Sequence, residues 1–302
     1  MPESVSMKEQ LRPKLQRFLE TLPVDVLIRH IDRRTGAPVQ EIESMLSTYM
    51  NETRATLDVI GDVLARDQRI LEVGAGLCLF SLFLRQEGFD VTALEPSIGG
   101  FGAFEAMRET ILEHFPSLGL PILTCSAQML DRGAHGRFDL IFSNNVVEHI
   151  PDWEGALAAM AGVMGDHALM VHACPNYAVP YEPHYGIPVF RRFPKLSRRL
   201  FLSPDADTEI WDSLNFITFS QVRRLARSLG LSARFRSGLL YQAFARVTAD
   251  PLFRQRHQGV VAGVAGMLDS IGALRLLKYL PAAMATPMIF ELRKKVSQKR
   301  IG

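Results

Sequence analysis

Leu11, Leu15, Phe18, Leu19 and Leu22 recur at steps of three and four residues, the spacing that gathers apolar side chains on one helix face, and Pro23 ends the run. A polar break at 33–38 separates it from a second helical pattern through Ile42, Met45, Leu46 and Tyr49, continuing to Ile60 and Leu64. Residues 7–66 therefore read as helical. At Arg69 the texture changes to short apolar runs at 69–73, 89–94, 121–125, 138–143 and 167–173. Helical stretches lie between them: 77–86 closed by Gly88, a helix reaching about His114 after Gly99-Gly100-Phe101-Gly102, and one starting near Asp152. Strands alternating with helices at this spacing predict an α/β fold with a mostly parallel sheet covered on both faces.

Beyond Pro175 the periodicity loosens. Residues 175–215 hold six prolines and the basic run Arg191, Arg192, Lys195, Arg198 and Arg199. A stretch of that length without a strong period predicts a functional cover or insertion. Regularity returns with a helix at 220–229 ended by Gly230, a strand at 233–237, a helical region at 251–286 and a last strand at 287–292 before a basic tail.

Composition narrows the class. The chain has 302 residues, 47% of them hydrophobic, which suits one large globular domain or two small ones and excludes disordered and fibrous classes. No run approaches the roughly 20 apolar residues of a spanning helix, and Glu3, Lys8 and Glu9 leave no room for a secretory core. Cys78, Cys125 and Cys174 have neither disulfide-framework nor zinc-site spacing. A reduced, cytoplasmic protein is expected. The net charge of +2 hides a division: residues 1–181 carry 24 acidic and 14 basic side chains, residues 182–302 carry 8 and 20. A basic third of one sign draws anionic partners, so an anionic acceptor, a membrane surface and a nucleic acid all enter as readings. Against nucleic acid, no RNA-binding module or basic–aromatic interleaving is present.

The run Arg69-Ile70-Leu71-Glu72-Val73-Gly74-Ala75-Gly76 is a strand followed by a Gly-x-Gly turn and a helix, where glycines let a ligand approach the backbone beyond the strand end. The second strand ends in an acid, Glu95, 19 residues after Gly76, placed to accept ribose hydroxyls. A dinucleotide fingerprint needs a third glycine where bulky Leu79 stands, so pyrophosphate is disfavoured. Glu72 and Glu95 suit instead a cationic nucleoside with a sulfonium and an amino-acid tail.

On these residues the chain resembles the class I S-adenosylmethionine-dependent methyltransferases, in particular the small-molecule group, from about Arg69 to Ala173 and more loosely to Leu292. Glu72-Val-Gly-Ala-Gly is similar to the family's first motif, and Phe138-Asp139-Leu-Ile-Phe-Ser-Asn144-Asn145-Val-Val-Glu148-His149-Ile-Pro-Asp152 to its fourth-strand motif. The resemblance implies a Rossmann-like seven-stranded methyltransferase sheet. It implies an N-terminal helical cover at 1–66, a cofactor-binding domain at 67–302 with a substrate-side loop region at 175–215, and a helical insertion at 239–286 before the last strand. S-adenosyl-L-methionine is the implied cofactor, held by Glu72, Gly74, Ala75, Gly76, Cys78, Glu95, Pro96, Ser126, Ala127, Asn144 and Asn145. Two positions depart from the pattern: Cys78 stands where a glycine is common, and Ser126 where an Asp usually takes the adenine amino group. These departures also keep a non-catalytic cofactor-binding subunit among the alternatives.

Three roles are open for Glu148-His149. A related ubiquinone-pathway group holds a divalent metal with Glu-x-x-Glu-His, but Asn145 replaces the first acid here, so no metal is expected. His149 could also act as a general base, or orient the loop by local hydrogen bonds. After the fifth strand, Tyr177, Tyr181, Glu182, His184 and Tyr185 sit in one proline-punctuated loop. His184 is the first candidate for the acceptor-side base, ahead of His149, with Tyr185 as a third catalytic candidate. Tyr177, Tyr181, Glu182, Arg191 and Arg192 are expected to bind a small, anionic acceptor. The segment 274–290 is expected to pack in the core, although Lys278, Arg293, Lys294 and Lys295 keep a peripheral membrane contact open. The acceptor atom is an oxygen or nitrogen of a sugar, natural product or lipid-linked intermediate, with a nucleic acid or other macromolecule as the alternative.

Overall fold

A computed structural model describes residues 5–96, 102–206, 208–249 and 260–295. The glycine run at 99–101, part of the helical region at 251–286 and the basic tail after 295 lie outside them. Seven strands form one sheet in the order β3-β2-β1-β4-β5-β9-β8, with a separate two-stranded ribbon. These strands are β1 (Arg69–Val73), β2 (Asp90–Leu94), β3 (Ile122–Leu123), β4 (Phe138–Asn144), β5 (Met164–Cys174), β8 (Leu231–Phe235) and β9 (Met288–Lys294); β6 (Tyr181–Glu182) and β7 (Ile187–Pro188) make the ribbon. The chain divides into two compact units, the first comprising residues 1–144 and 154–171 and the second residues 145–153 and 172–302.

In the first unit β1 lies between β2 and β4, parallel to both. A parallel strand flanked on both sides is covered on both faces, which is why Ile70, Leu71 and Val73 are apolar and buried, with the buried Glu72 between the last two as the polar exception. The strand order reverses beside β1, and such a reversal opens a crevice at the strands' carboxyl ends. Three helices precede β1: α1 (Met7–Glu20), α2 (Val24–Thr35) and α3 (Val39–Ile60). Ser6 starts α1 by accepting from the Glu9 amide while the Glu9 carboxylate accepts from the Ser6 amide, a reciprocal cap. The α1 stripe Leu11, Leu15, Phe18 and Leu19 is buried as its spacing requires. Phe18 meets Phe83 of α4 (Leu79–Gln86) at 5.8 Å and Phe115 at 5.5 Å, so the helical segment shares the core of β1–β4. Burying one such ring stabilises by about 1.5–3 kcal/mol. Helices α5 (Gly102–His114), α6 (Arg132–His135) and α7 (Trp153–Val163) complete the α/β alternation.

In the second unit β8 and β9 pair antiparallel, Phe235 opposite Phe290. His172, Phe290, Phe235 and Phe219 form a continuous ring cluster with centroid separations of 4.1–6.1 Å. Helices α8 (Pro194–Phe201), α9 (Glu209–Ser213) and α10 (Phe219–Ser228) precede β8; α11 (Leu239–Ala249) and α12 (Val260–Ser270) stand between β8 and β9. The 274–290 segment departs from expectation. Leu274, Met288, Ile289 and Phe290 are buried, but Leu276, Tyr279 and Met284 are exposed, because the chain there runs in short 3₁₀ turns that present one side only. No helix among the described residues is long and apolar enough to cross a membrane.

Candidate functional site

In the first unit, β1 ends in a turn built from left-handed residues: Gly74 (φ 69°), Gly76 (φ 56°) and Cys78 (φ 61°). Both the Gly74 and Ala75 amides donate to the Leu94 carbonyl, at 2.8 and 3.2 Å, which ties the turn to the end of β2. The Gly76 amide donates to Glu95 Oε2 at 2.7 Å. Glu95 is thus anchored through one oxygen, and an anchored carboxylate is preorganised to receive a hydroxyl on the other.

A cavity opens above the turn. Glu72, Gly74, Ala75 and Asn144 line it, as the sequence suggested, together with Leu77, Leu79 and Phe80. The opposite wall was not foreseen: Tyr49, Glu52, Thr53 and Thr56 of α3. Their spacing of three, one and three residues places them on one face of the amphipathic helix, a signal present in the sequence. Asn144 is held there by donating to Thr56 Oγ1 at 3.2 Å. Glu72 is buried and accepts a short hydrogen bond from the Ser81 hydroxyl. Burial, reinforced by the Glu95 charge, pushes its carboxyl up to about 8 despite that bond. Glu95 is likewise raised, chiefly by burial.

The other predicted cofactor residues hold different places. Cys78 is fully buried, donates to the Gly76 carbonyl at 3.8 Å, and supports the turn from inside rather than lining the cavity. Pro96 follows Glu95. Ser126 precedes a single 3₁₀ turn, Ala127–Met129, after β3, with Ala127 buried; neither is among the residues lining the cavity. Asn145 belongs to the second unit, where it takes a left-handed φ of 54° and its amide donates to the Ala173 carbonyl at 2.9 Å.

Glu72 and Glu52 are the carboxylates lining this cavity; Glu95 and Gly76, joined by their hydrogen bond at the end of β2, belong to the adjoining turn and are not among the lining residues. Carboxylates at the site favour a ligand with cationic and hydroxyl groups over a phosphate.

In the second unit a polar cluster forms around Glu182, which is fully buried. It accepts from His184 Nδ1 at 2.6 Å, the Tyr185 amide at 2.8 Å and the Tyr177 hydroxyl at 3.3 Å. Burial alone would raise the Glu182 carboxyl, but the bond and charge of His184 and the backbone amides outweigh it and hold it below the ordinary value. In the neutral form of His184 this bond keeps the proton on Nδ1, so that Nε2 is the acceptor nitrogen. Its ring lies 5.2 Å from that of His149. His149 Nδ1 meets Ser213 Oγ at 2.7 Å, and Ser213 spends its proton on the Ile210 carbonyl at 2.7 Å. The imidazole is therefore the donor, and its Nε2 also carries a lone pair. Burial, then the neighbouring His184, lowers His149 to about 4, so it is neutral at neutral pH.

Glu148, His149 and His184 each offer one ligand atom, all within 4.8 Å of one another, and the set has the composition of a transition-metal site. The third donor is His184, which replaces the acid missing at Asn145. The turn carrying Glu148 and His149 is clamped by Asn215, whose side-chain amide donates to the Val147 and Ile150 carbonyls at 2.7 and 2.8 Å and whose backbone amide donates to the Glu148 carbonyl. Ser213 and Asn215 were invisible in the sequence, since neither carries a local signal. The Tyr185 hydroxyl accepts from the Trp211 amide at 3.2 Å. Tyr181 pairs with Pro188 in the ribbon. Arg191 donates to the Phe216 carbonyl at 3.3 Å, and Arg192 is exposed.

Comparison with known proteins agrees with these motifs. A family model described as a methyltransferase domain matches residues 7–233. Two curated proteins of Mycobacterium tuberculosis, the uncharacterized proteins Rv1509 (strain H37Rv) and MT1557 (strain CDC 1551), are each 33% identical over 285 residues, covering 90% of this chain and 95% of theirs. Among solved structures, a SAM-dependent methyltransferase of Thermotoga maritima is similar over 89% of this chain and 100% of its own, with TM-score 0.47 and 14% identity. A phosphoethanolamine N-methyltransferase of Haemonchus contortus is similar with TM-score 0.46 and 12% identity; the match covers 81% of this chain and about half, 53%, of that longer one.

Proposed function

The chain belongs to the S-adenosylmethionine-dependent methyltransferases, and from that premise we propose that its acceptor is a small molecule, methylated on oxygen or nitrogen, with His184 removing the acceptor's proton. The observation that carries this reading is the hydrogen bond from His184 Nδ1 to Glu182. It selects the tautomer whose Nε2 takes a proton, and it places a buried carboxylate behind the ring to stabilise the imidazolium that results. His149, kept neutral beside it, adds no opposing charge.

The bound cofactor supplies an activated methyl group on a positively charged sulfur. Glu72 and the turn at Gly74–Gly76 receive its amino-acid end, and Glu95 its ribose. Tyr181, half-buried, supplies aromatic surface for the acceptor, whereas Tyr177, expected to bind it, is fully buried and instead holds Glu182 through its hydroxyl. Held reactants need little further chemistry from the protein, so positioning and one proton transfer account for the catalytic parts seen.

Incubating the protein with the cofactor and an extract of the producing cells, then searching by mass spectrometry for ~14 Da increments, identifies the acceptor. With that acceptor, His184→Gln is expected to lower kcat by about 10²–10⁴-fold. The stabilisation of the fold by S-adenosylhomocysteine should be unchanged. Full turnover by His184→Gln would overturn the assignment of the base.

A further inference from the structure

The stretch from Pro183 to Pro204 contains five Lys/Arg and no acidic residue. Val189 is buried, but five of the stretch's large apolar side chains are exposed. Phe190 is 45% exposed, Phe193 63%, Leu196 46%, Leu200 58% and Phe201 39%. Around them Arg191, Arg192, Lys195 and Arg199 are exposed as well. Within α8 and the residue before it, Phe193, Leu196 and Leu200 follow helical steps of three and four, while Lys195, Arg198 and Arg199 take the opposite angular sector. At the buried position, where an amphipathic helix normally presents an apolar residue to its own core, α8 places Ser197, whose hydroxyl accepts from the Phe190 amide at 2.6 Å. A soluble protein seldom leaves so many large apolar residues exposed together.

We propose that this surface docks the protein onto an anionic phospholipid bilayer, with Phe193, Leu196 and Leu200 entering the headgroup boundary and the surrounding Lys and Arg side chains meeting lipid phosphates. Two features select this occupant. A protein partner for an apolar patch needs few cations at its centre, and a nucleic acid needs no exposed Leu and Phe between the arginines. A lipid surface uses both: basic residues are attracted by anionic headgroups, and amphipathic helices insert their apolar side. Each Lys or Arg near an anionic leaflet raises partitioning about fivefold, which makes the contact dependent on lipid charge and on salt. This assignment gives Arg191 and Arg192 a partner other than a soluble anionic acceptor, and it is independent of which residue removes the acceptor's proton.

The test is co-sedimentation of the full-length chain with vesicles of pure phosphatidylcholine and with vesicles carrying one-quarter phosphatidylglycerol. Binding is expected with the anionic vesicles only, falling at least tenfold in 0.5 M salt. The double variant Phe193→Ser/Leu200→Ser should lose anionic-vesicle binding by tenfold or more, and Lys195→Glu/Arg199→Glu likewise. Both should keep the wild-type Tm and its increase with S-adenosylhomocysteine, which shows that they fold. Absence of binding to anionic vesicles, or equal binding by the folded Phe193→Ser/Leu200→Ser variant, would overturn the proposal. So would a single-stranded RNA that displaces the protein from vesicles at lower concentration than added lipid does, or a concentration-dependent dimer that the same variant abolishes.

Discussion

Tyr49 of α3 is packed against the Gly76 backbone so closely that a Cβ on Gly76 would lie 2.7 Å from the ring's Cε1. The contact joins a helix that precedes the α/β alternation to the turn that bears the glycine motif. It explains why α3 contributes a wall of the cavity rather than only a cover.

That contact makes Gly76→Ala doubly unfavourable, by the left-handed φ and by the clash. The left-handed conformation alone costs a non-glycine residue about 1–2 kcal/mol. Chemical denaturation should show a loss of that order or more in Gly76→Ala. Adding Tyr49→Ala should recover the part due to the clash, a coupling readable from the double-mutant cycle. A strictly additive pair would refute the steric contact.

Glu95 is anchored by the Gly76 amide, so its side chain does not have to be ordered on binding. Glu95→Ala should lose charge-assisted hydrogen bonds worth about 1.5–3 kcal/mol, or roughly tenfold to a hundredfold in S-adenosylhomocysteine affinity by calorimetry. An unchanged Kd would remove Glu95 from the ribose-binding role.

Burial raises the Glu72 carboxyl to about 8, so at pH 7 it is largely protonated. A cationic ligand favours the carboxylate, which means that binding S-adenosylmethionine at pH 7 expels a proton. Calorimetry in two buffers of different ionisation enthalpy should show release of a substantial fraction of one proton per site, lost in Glu72→Gln. Identical heats in both buffers, once each is corrected for dilution, would contradict this.

The glycine turn and the acid after β2 in the candidate site were legible because their signals are local. A strand running into Gly-x-Gly, and an acid at the end of the next strand, are each readable within a few residues, and β1 begins and ends where the sequence placed it. The α3 wall escaped although Tyr49, Glu52, Thr53 and Thr56 share one helix face, because the surrounding apolar pattern already accounted for the helix. Glu182 and His184 were readable as candidates, being two residues apart in a loop of unusual composition. Their partners Ser213 and Asn215 were not, since they act through hydrogen bonds across 64 to 68 residues of chain. The exposed apolar residues of α8 were hidden for a related reason: periodicity locates an apolar face but not whether anything covers it.

His172 is fully buried against the Phe290 ring, and burial lowers it to about 3. The unfolded chain takes up a proton near pH 6.5 that the folded chain refuses until about 3. This residue's contribution to stability is therefore complete above pH 6.5 and falls as pH drops through that window, by about 2 kcal/mol between pH 7.5 and 5. Denaturation at pH 7.5 and 5 should show the loss, and His172→Phe should reduce the difference between them. An equal pH dependence in the variant would show that other groups carry it.

The three donors of Glu148, His149 and His184 pose a choice between a metal and a proton, because the same Nε2 lone pairs serve both. The structure orients each imidazole through its Nδ1, and that arrangement is shared by metal-bound histidines and by catalytic bases. Two facts favour the proton. Ligand atoms of one metal ion stand about 3 Å apart, set by bond lengths near 2.0–2.2 Å, whereas here His149 Nε2 and Glu148 Oε1 are 4.0 Å apart. The residue at the preceding ligand position is Asn145, whose amide is held left-handed on Ala173 and brings no charge. Turnover should therefore survive exhaustive treatment with EDTA, and elemental analysis of the active protein should find well under one equivalent of divalent metal. Zn²⁺ added in excess should inhibit, by occupying the lone pairs the base needs, and Glu148→Gln should weaken that inhibition because it removes the anionic ligand. Activity lost in EDTA and restored by Mg²⁺, Mn²⁺ or Zn²⁺ would assign the cluster to a metal and leave the proton transfer to another group.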